Sequence, residues 1–311
     1  MSRAVLVFLD GFGMAEPGPS NPLSLYDWPG LRPLLGARPV LGEGVREHRR
    51  LLVPLDASLG VEGLPQSATG QVALLTGVNA PALLGYHAAD NVLKRTAKSG
   101  LRCTFANAYT EEYFERARAG DIKHSATTLC VMAAGLPFRM LDDLLQGQAV
   151  YWDITNETLR QRPGYDRIPL VQPSLAGERL ARLAAKHDFT LFECFQPDRV
   201  GHLADWRGAR RMLELLDSFL AGCARGLPED ATLLVTSDHG NVEDLSTKSH
   251  TRNPVPLMAL GPDAHRFGGV STIAEVVPAI YLSLGLPDRQ HPAAGEGVGV
   301  CGPSPEESVR L

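Results

Sequence analysis

Asp10, Ser67, Asp198, His202, Asp238, His239 and His250 are spread over 240 positions of a 311-residue chain. Together they offer three carboxylates, three imidazoles and a hydroxyl, a ligand set for two adjacent metal ions. Oxygen donors mixed with imidazoles suit Mn²⁺ or Zn²⁺ better than Ca²⁺ or a thiolate-seeking metal. Two such ions clamp the oxygens of an in-line displacement, so the chemistry indicated is phosphoryl transfer. The residues lie in the strings VFLDGFG, PQSATGQVALLTG, FQPDRVGHLADW, LLVTSDHGN and SHTRNPVPLMALGP. Glycines and the ends of apolar runs surround them, as in catalytic loops rather than cores.

Each string also has a plainer reading. Asp10 ends an apolar run, where a carboxylate is costly unless it caps a turn or binds a cation. Asp198 and His202 stand four apart, so a helix would turn both to one face, where they could grip one ion or form a surface pair. Asp238 and His239 follow TLLVTS and precede Gly240. Adjacent residues at a strand end diverge, so they can serve two ions, serve one, or simply form a turn. His250 lies in a loop, where a lone histidine is usually just polar. Ser67 precedes a helix expected from Ala68 to Leu75 and is a natural N-cap. A helix N-terminus also gathers free N–H groups and positive potential, so a serine there can be both nucleophile and ligand, with Thr69 as a rival nucleophile.

The elements that must position these residues alternate along the chain. Short apolar runs at 4–9, 50–55, 102–108, 189–195, 232–237 and 255–260 predict strands. Segments of helical periodicity lie between them, clearest at 174–187, 205–224 and 271–284, with Ser174 and Ser271 as expected N-caps. The alternation predicts an α/β fold with a mostly parallel central sheet between helical layers. In such sheets ligands collect at the carboxyl ends of the strands, so Asp10, Asp198 and Asp238 should meet on one rim. Residues 1–89 and 174–311 form the expected core. The stretch 90–173 has weaker elements and reads as an insertion or cap over the site.

Composition excludes several partners. The net charge is −5, the pI is near 6.0, and no dense Lys/Arg block occurs, so no nucleic-acid-binding surface is expected. No stretch approaches the length of a membrane helix, and MSRAVLVFLDGFG reads as a first strand rather than a signal peptide. The five cysteines are odd in number, widely spaced and without a CxxC pair, which points to reduced thiols in the cytoplasm.

The strings VFLDGFG, PQSATGQ, PDRVGH, TSDHGN and HTRNPVPL resemble the metal-binding motifs of the alkaline phosphatase superfamily, most of all the cofactor-independent phosphoglycerate mutase and phosphopentomutase branch. The resemblance covers roughly the first 80 and the last 125 residues. It implies an alkaline-phosphatase-like three-layer α/β/α sandwich. It also implies one ion held by Asp198, His202 and His250, a second held by Asp10, Ser67, Asp238 and His239, and Ser67 as the phosphorylated nucleophile. There are departures. Gln71 stands where the mutases carry a histidine, and Gln66 where they carry an asparagine. The 311 residues are too few for the large second domain of the bacterial mutases, and 90–173 holds no matching arginine motif. Core chemistry therefore transfers and mutase activity does not. The expectation is a metal-dependent phosphomonoesterase or phosphodiesterase with a phosphoserine intermediate, acting on a small phosphorylated substrate. A mutase on a small metabolite and a non-catalytic metal-binding relative are the alternatives.

Overall fold

A computed structural model describes residues 2–80 and 90–287. Seven strands form one sheet: β1 (Arg3–Leu9), β2 (Val45–Arg46), β3 (Arg50–Leu55), β4 (Cys103–Phe105), β5 (Phe189–Cys194), β6 (Ala231–Thr236) and β7 (Val255–Leu260). Their order is β2-β3-β7-β6-β1-β5-β4. β4, β5, β1 and β6 are mutually parallel, and β7 turns antiparallel to β6. β3 turns back again, so that five of the seven strands run one way, and only β2 and β7 oppose them. The six expected strands all form, and the two-residue edge strand β2 was too short to leave a periodic signal.

β1 is central because both its faces are apolar. Val5, Val7 and Leu9 join one core with the helices Pro173–Ala184 and Trp206–Gly226. Ala4, Leu6 and Phe8 join another, under the helices Ser67–Thr76, Val92–Lys98, Ala126–Ala134 and Val276–Ser283. This alternation buries a strand on both sides, worth about 1.5–3 kcal/mol for each large side chain. The result is the expected three-layer sandwich.

Local details differ from expectation. Ser174 caps nothing: Gln172 is the N-cap and Pro173 opens the helix, its fixed φ and missing N–H suiting that position. The segment expected as one helix from 271 begins as a 3-10 turn, Ile273–Glu275. Its cap is Thr272 in a capping box with Glu275, not Ser271, because Pro278 suits an early helical position and delays the α-helix to Val276.

Within 90–173, β4 extends the sheet and the helices Val92–Lys98 and Ala126–Ala134 pack on the second core. A small separate cluster of Ala108, Leu144, Ala149, Tyr151, Leu159 and Ile168 gathers the later residues. The described cysteines, Cys103, Cys130, Cys194 and Cys223, are free thiols, and Cys301 and residues 81–89 lie outside the described residues. Among the described residues no helix is long and apolar enough to cross a membrane.

Candidate metal centre

Five segments deliver the seven side chains to one rim. Asp10 follows β1, Asp238 and His239 follow β6, and Ser67 is the first residue of the helix Ser67–Thr76. Asp198 and His202 lie a turn apart on the helix Gln196–Leu203, which begins just after β5. His250 comes from the loop between β6 and β7, beside the bridge Gly240–Thr251. β5, β1 and β6 are adjacent, so the three aspartates meet as fold logic requires.

The approach is close enough to need glycine. Gly11 has φ +70°, and a β-carbon there would lie 2.7 Å from Cα and Cβ of Asp198. A β-carbon on Gly70 would lie 2.7 Å from the Asp238 carbonyl oxygen, so this glycine lets the Ser67 helix dock against Asp238.

The three histidines share one arrangement. His250 Nδ1 donates to the Pro65 carbonyl at 2.8 Å, His202 Nδ1 to the Lys248 carbonyl at 2.8 Å, and His239 Nδ1 to the Gly240 carbonyl at 3.2 Å. Each ring thus commits its Nδ1 proton to the backbone and leaves Nε2 as a lone-pair donor facing inward, the usual arrangement in metal-ligating histidines. His239 Nε2 stands 2.8 Å from Ser67 Oγ, 3.3 Å from Asp10 Oδ1 and 3.5 Å from Asp238 Oδ2. His202 Nε2 is 3.3 Å from Asp198 Oδ2, and His250 Nε2 is 3.6 Å from Asp198 Oδ1. The His239 and His250 rings stack with centroids 3.7 Å apart.

Two groups of ligand atoms result, Asp10 with Asp238 and His239, and Asp198 with His239 and His250, so His239 stands between them. The resemblance placed His239 with only one ion.

Asp10 Oδ1 and Asp238 Oδ2 are buried and receive no hydrogen bond among the described residues. Orphaned buried carboxylate oxygens are costly, and a divalent cation satisfies both. The residues therefore fit a metal. Burial and the neighbouring Asp10 charge push the Asp238 carboxyl well above the usual carboxylate range. Burial alone would depress His239, yet the carboxylates of Asp238 and Asp10 outweigh it and raise the ring to about 9. The field that holds a proton there attracts a doubly charged ion more strongly.

Ser67 corrects an expectation. Gln66, not Ser67, is the N-cap, and it makes no side-chain capping bond; its amide turns to the Leu64 carbonyl. Ser67 Oγ is therefore free of capping duty and points to His239, while Thr69 Oγ1 bonds back to the Gln66 carbonyl at 3.3 Å. Gln71, which replaces the mutase histidine, reaches Asp10 Oδ2 at 3.5 Å.

Two buried residues that the sequence did not single out hold the candidate ligands in place. Asn241 Nδ2 donates to Asp198 Oδ1 at 2.7 Å. Glu243 accepts from the Gly13 N–H at 3.0 Å, the Asn241 N–H at 2.7 Å and the Thr251 hydroxyl, tying three loops together. Asn241 adjoined the DHG string, whereas nothing in the sequence marked Glu243.

The family model described as "Metalloenzyme superfamily" matches residues 172–288. The 2,3-bisphosphoglycerate-independent phosphoglycerate mutase of Natronomonas pharaonis is 31% identical over 142 residues, 40% of this chain and 27% of that protein. The chain thus spans only about a quarter of the length of the curated relatives it matches. A solved protein of Pyrococcus horikoshii superposes with a TM-score of 0.59 at 14% identity, covering 94% of this chain and 99% of that one. The alkaline phosphatase of the Antarctic bacterium TAB5 does so with a TM-score of 0.54 at 14% identity, covering 91% and 98%. These structures share the fold. Residues 172–288 thus match the metalloenzyme superfamily in sequence, and the fold is the one seen in alkaline phosphatase. In sequence, the matched part of the chain is similar to 2,3-bisphosphoglycerate-independent phosphoglycerate mutases.

Proposed function

We propose that the chain is a phosphoryl-transfer enzyme, a phosphomonoesterase or phosphodiesterase that works through a phosphoserine on Ser67. The observation that carries this reading is the convergence of His239, His250 and three carboxylates beside one uncapped serine hydroxyl, with His202 3.3 Å from Asp198 but outside both ligand groups. Asp198, His202 and His250 would hold one divalent ion and Asp10, Ser67, Asp238 and His239 a second, both Mn²⁺ or Zn²⁺. When bound, the ions supply positive charge to the phosphoryl oxygens and lower the pKa of the attacking hydroxyl.

The residues do the rest. The helix Ser67–Thr76 presents Ser67 Oγ at its N-terminal end, where first-turn N–H groups without a side-chain cap can receive phosphoryl oxygens. Ser67 Oγ gives its proton to solvent and forms a bond to phosphorus as the ester oxygen leaves with its electron pair and takes a proton from water; a second water then cleaves the phosphoserine, restoring the hydroxyl. The cluster built on Ala108, Leu144, Tyr151, Leu159 and Ile168 would cap the substrate, narrowing the cap of 90–173 to its later part. Free thiols at all four described cysteines favour a reducing, cytoplasmic setting.

A second reading, transfer of the phosphoryl group to another hydroxyl of a small metabolite, is favoured by the identity to the mutases. The test is incubation of the metal-supplied protein with aryl phosphomonoesters and diesters and a phosphometabolite panel, scoring free phosphate from monoesters and released phenol from diesters against positional isomers. Free phosphate from a monoester, or phenol from a diester, lost on chelation is expected. An isomer instead of phosphate would favour the second reading, and no turnover of any ester with metal bound would overturn both.

A further inference from the structure

Beside the metal centre lies a cavity of about 380 Å³. It opens at the carboxyl ends of β4 and β5, so it continues the rim that carries Asp10 and Asp238. Glu193 in its lining is the register partner of Phe8 on β1, two residues before Asp10, and neighbouring strands lie about 4.8 Å apart. Arg199, next to Asp198, lays its guanidinium 5.1 Å from the centroid of Trp152, another lining residue. The cavity is therefore within reach of an ester whose phosphate sits at Ser67.

Two features define what the cavity can take. Its walls are aromatic, from Tyr113, Tyr151, Trp152 and Phe195. Glu193, also in its lining, is wholly buried, and its Oε1 receives no hydrogen bond among the described residues although the Thr127 hydroxyl donates to Oε2. Lys123, exposed in the same lining, has no charged partner among the described residues. A three-carbon acid such as glycerate would leave most of this volume empty and its aromatic faces unused. A planar heteroaromatic base offers faces that stack on the rings and edge N–H groups for a carboxyl oxygen.

We propose that this cavity binds the nucleoside half of a nucleotide ester, so that the substrate is a nucleotide rather than a phosphoglycerate. The proposal rests on the phosphoryl-transfer reading only for the position of the phosphate. Its test therefore uses uncharged nucleosides, which cannot turn over. Metal-loaded protein is titrated with adenosine, guanosine, cytidine and uridine, and with ribose and glycerol as controls, following tryptophan fluorescence. Saturable quenching by at least one nucleoside and none by the controls is expected. Trp152→Leu should abolish the signal. Glu193→Gln should weaken binding at least tenfold with metal content unchanged.

No saturable quenching by any nucleoside in the wild-type protein overturns the proposal, as does a Glu193→Gln protein that loses metal yet binds nucleoside normally. Because the wild-type titration decides by itself, a variant that fails to fold does not shield the proposal. Phosphoester turnover without nucleoside binding would remove the pocket and leave the catalytic reading. Nucleoside binding without turnover of any ester would support the pocket and remove the catalytic reading.

Discussion

At the scale of single residues, the site is specified by what each side chain is excused from doing. Ser67 begins a helix yet does not cap it, so its hydroxyl remains available 2.8 Å from His239 Nε2. Ser67→Ala should lower phosphoester turnover by roughly a thousandfold or more while leaving stability within about 1 kcal/mol, since no capping bond is lost. Thr69→Ala should keep most activity, its hydroxyl being turned to the Gln66 carbonyl. Rapid acid quench followed by peptide mapping checks the nucleophile, and phosphate recovered on Thr69 would reverse the assignment. Asn241 acts through Asp198, whose carboxylate it orients. Asn241→Ala should weaken metal binding about 10- to 100-fold, as loss of a ligand's hydrogen-bond partner commonly does. Competition with a chelator measures it, and an unchanged affinity would make the Asn241 contact incidental.

At the scale of elements, the metal centre depends on how closely β1, β6 and the helices after β5 and before Gly77 approach one another. Gly11 combines a left-handed backbone with no room for a β-carbon beside Asp198. Gly11→Ala should destabilise the fold by about 2–4 kcal/mol, combining a strained φ with a displaced Asp198 helix, and should reduce bound metal. Denaturant midpoints and metal analysis of the variant check both effects. A midpoint equal to wild type would show that the backbone relaxes at no cost and that the close approach is not needed. The histidine anchors are also properties of elements, because Pro65, Lys248 and Gly240 offer their carbonyls only when three separate loops are in place.

At the scale of the whole molecule, the centre gathers buried like charges from distant parts of the chain, and a bound cation would balance them. Removing metal should therefore lower the melting temperature by roughly 5 °C or more, since a ligand at a hundredfold its Kd contributes about 2.7 kcal/mol. Scanning calorimetry with and without chelator measures the gap, and Asp238→Asn, which removes one buried carboxylate, should narrow it. Equal melting temperatures would mean that the folded chain does not bind the ion preferentially.

The sequence by itself determined the strands and the ligand types. Apolar runs such as AVLVFL and VPLMAL have one dominant solution, burial in a sheet, and an aspartate or histidine at the end of such a run is visible without coordinates. Only the tertiary structure decided that His239 stands between the two candidate ligand groups, that Gln66 rather than Ser67 caps the helix, and that Asn241 and Glu243 hold the candidate ligands in place. It also decided that β4 and its helices build the sheet layer and that an aromatic cavity adjoins the rim. The physical reason is range. Periodicity and chain-neighbour chemistry are local and can be read along the sequence, whereas these contacts join residues as far apart as Gly13 and Glu243 or Pro65 and His250, and only packing brings them together.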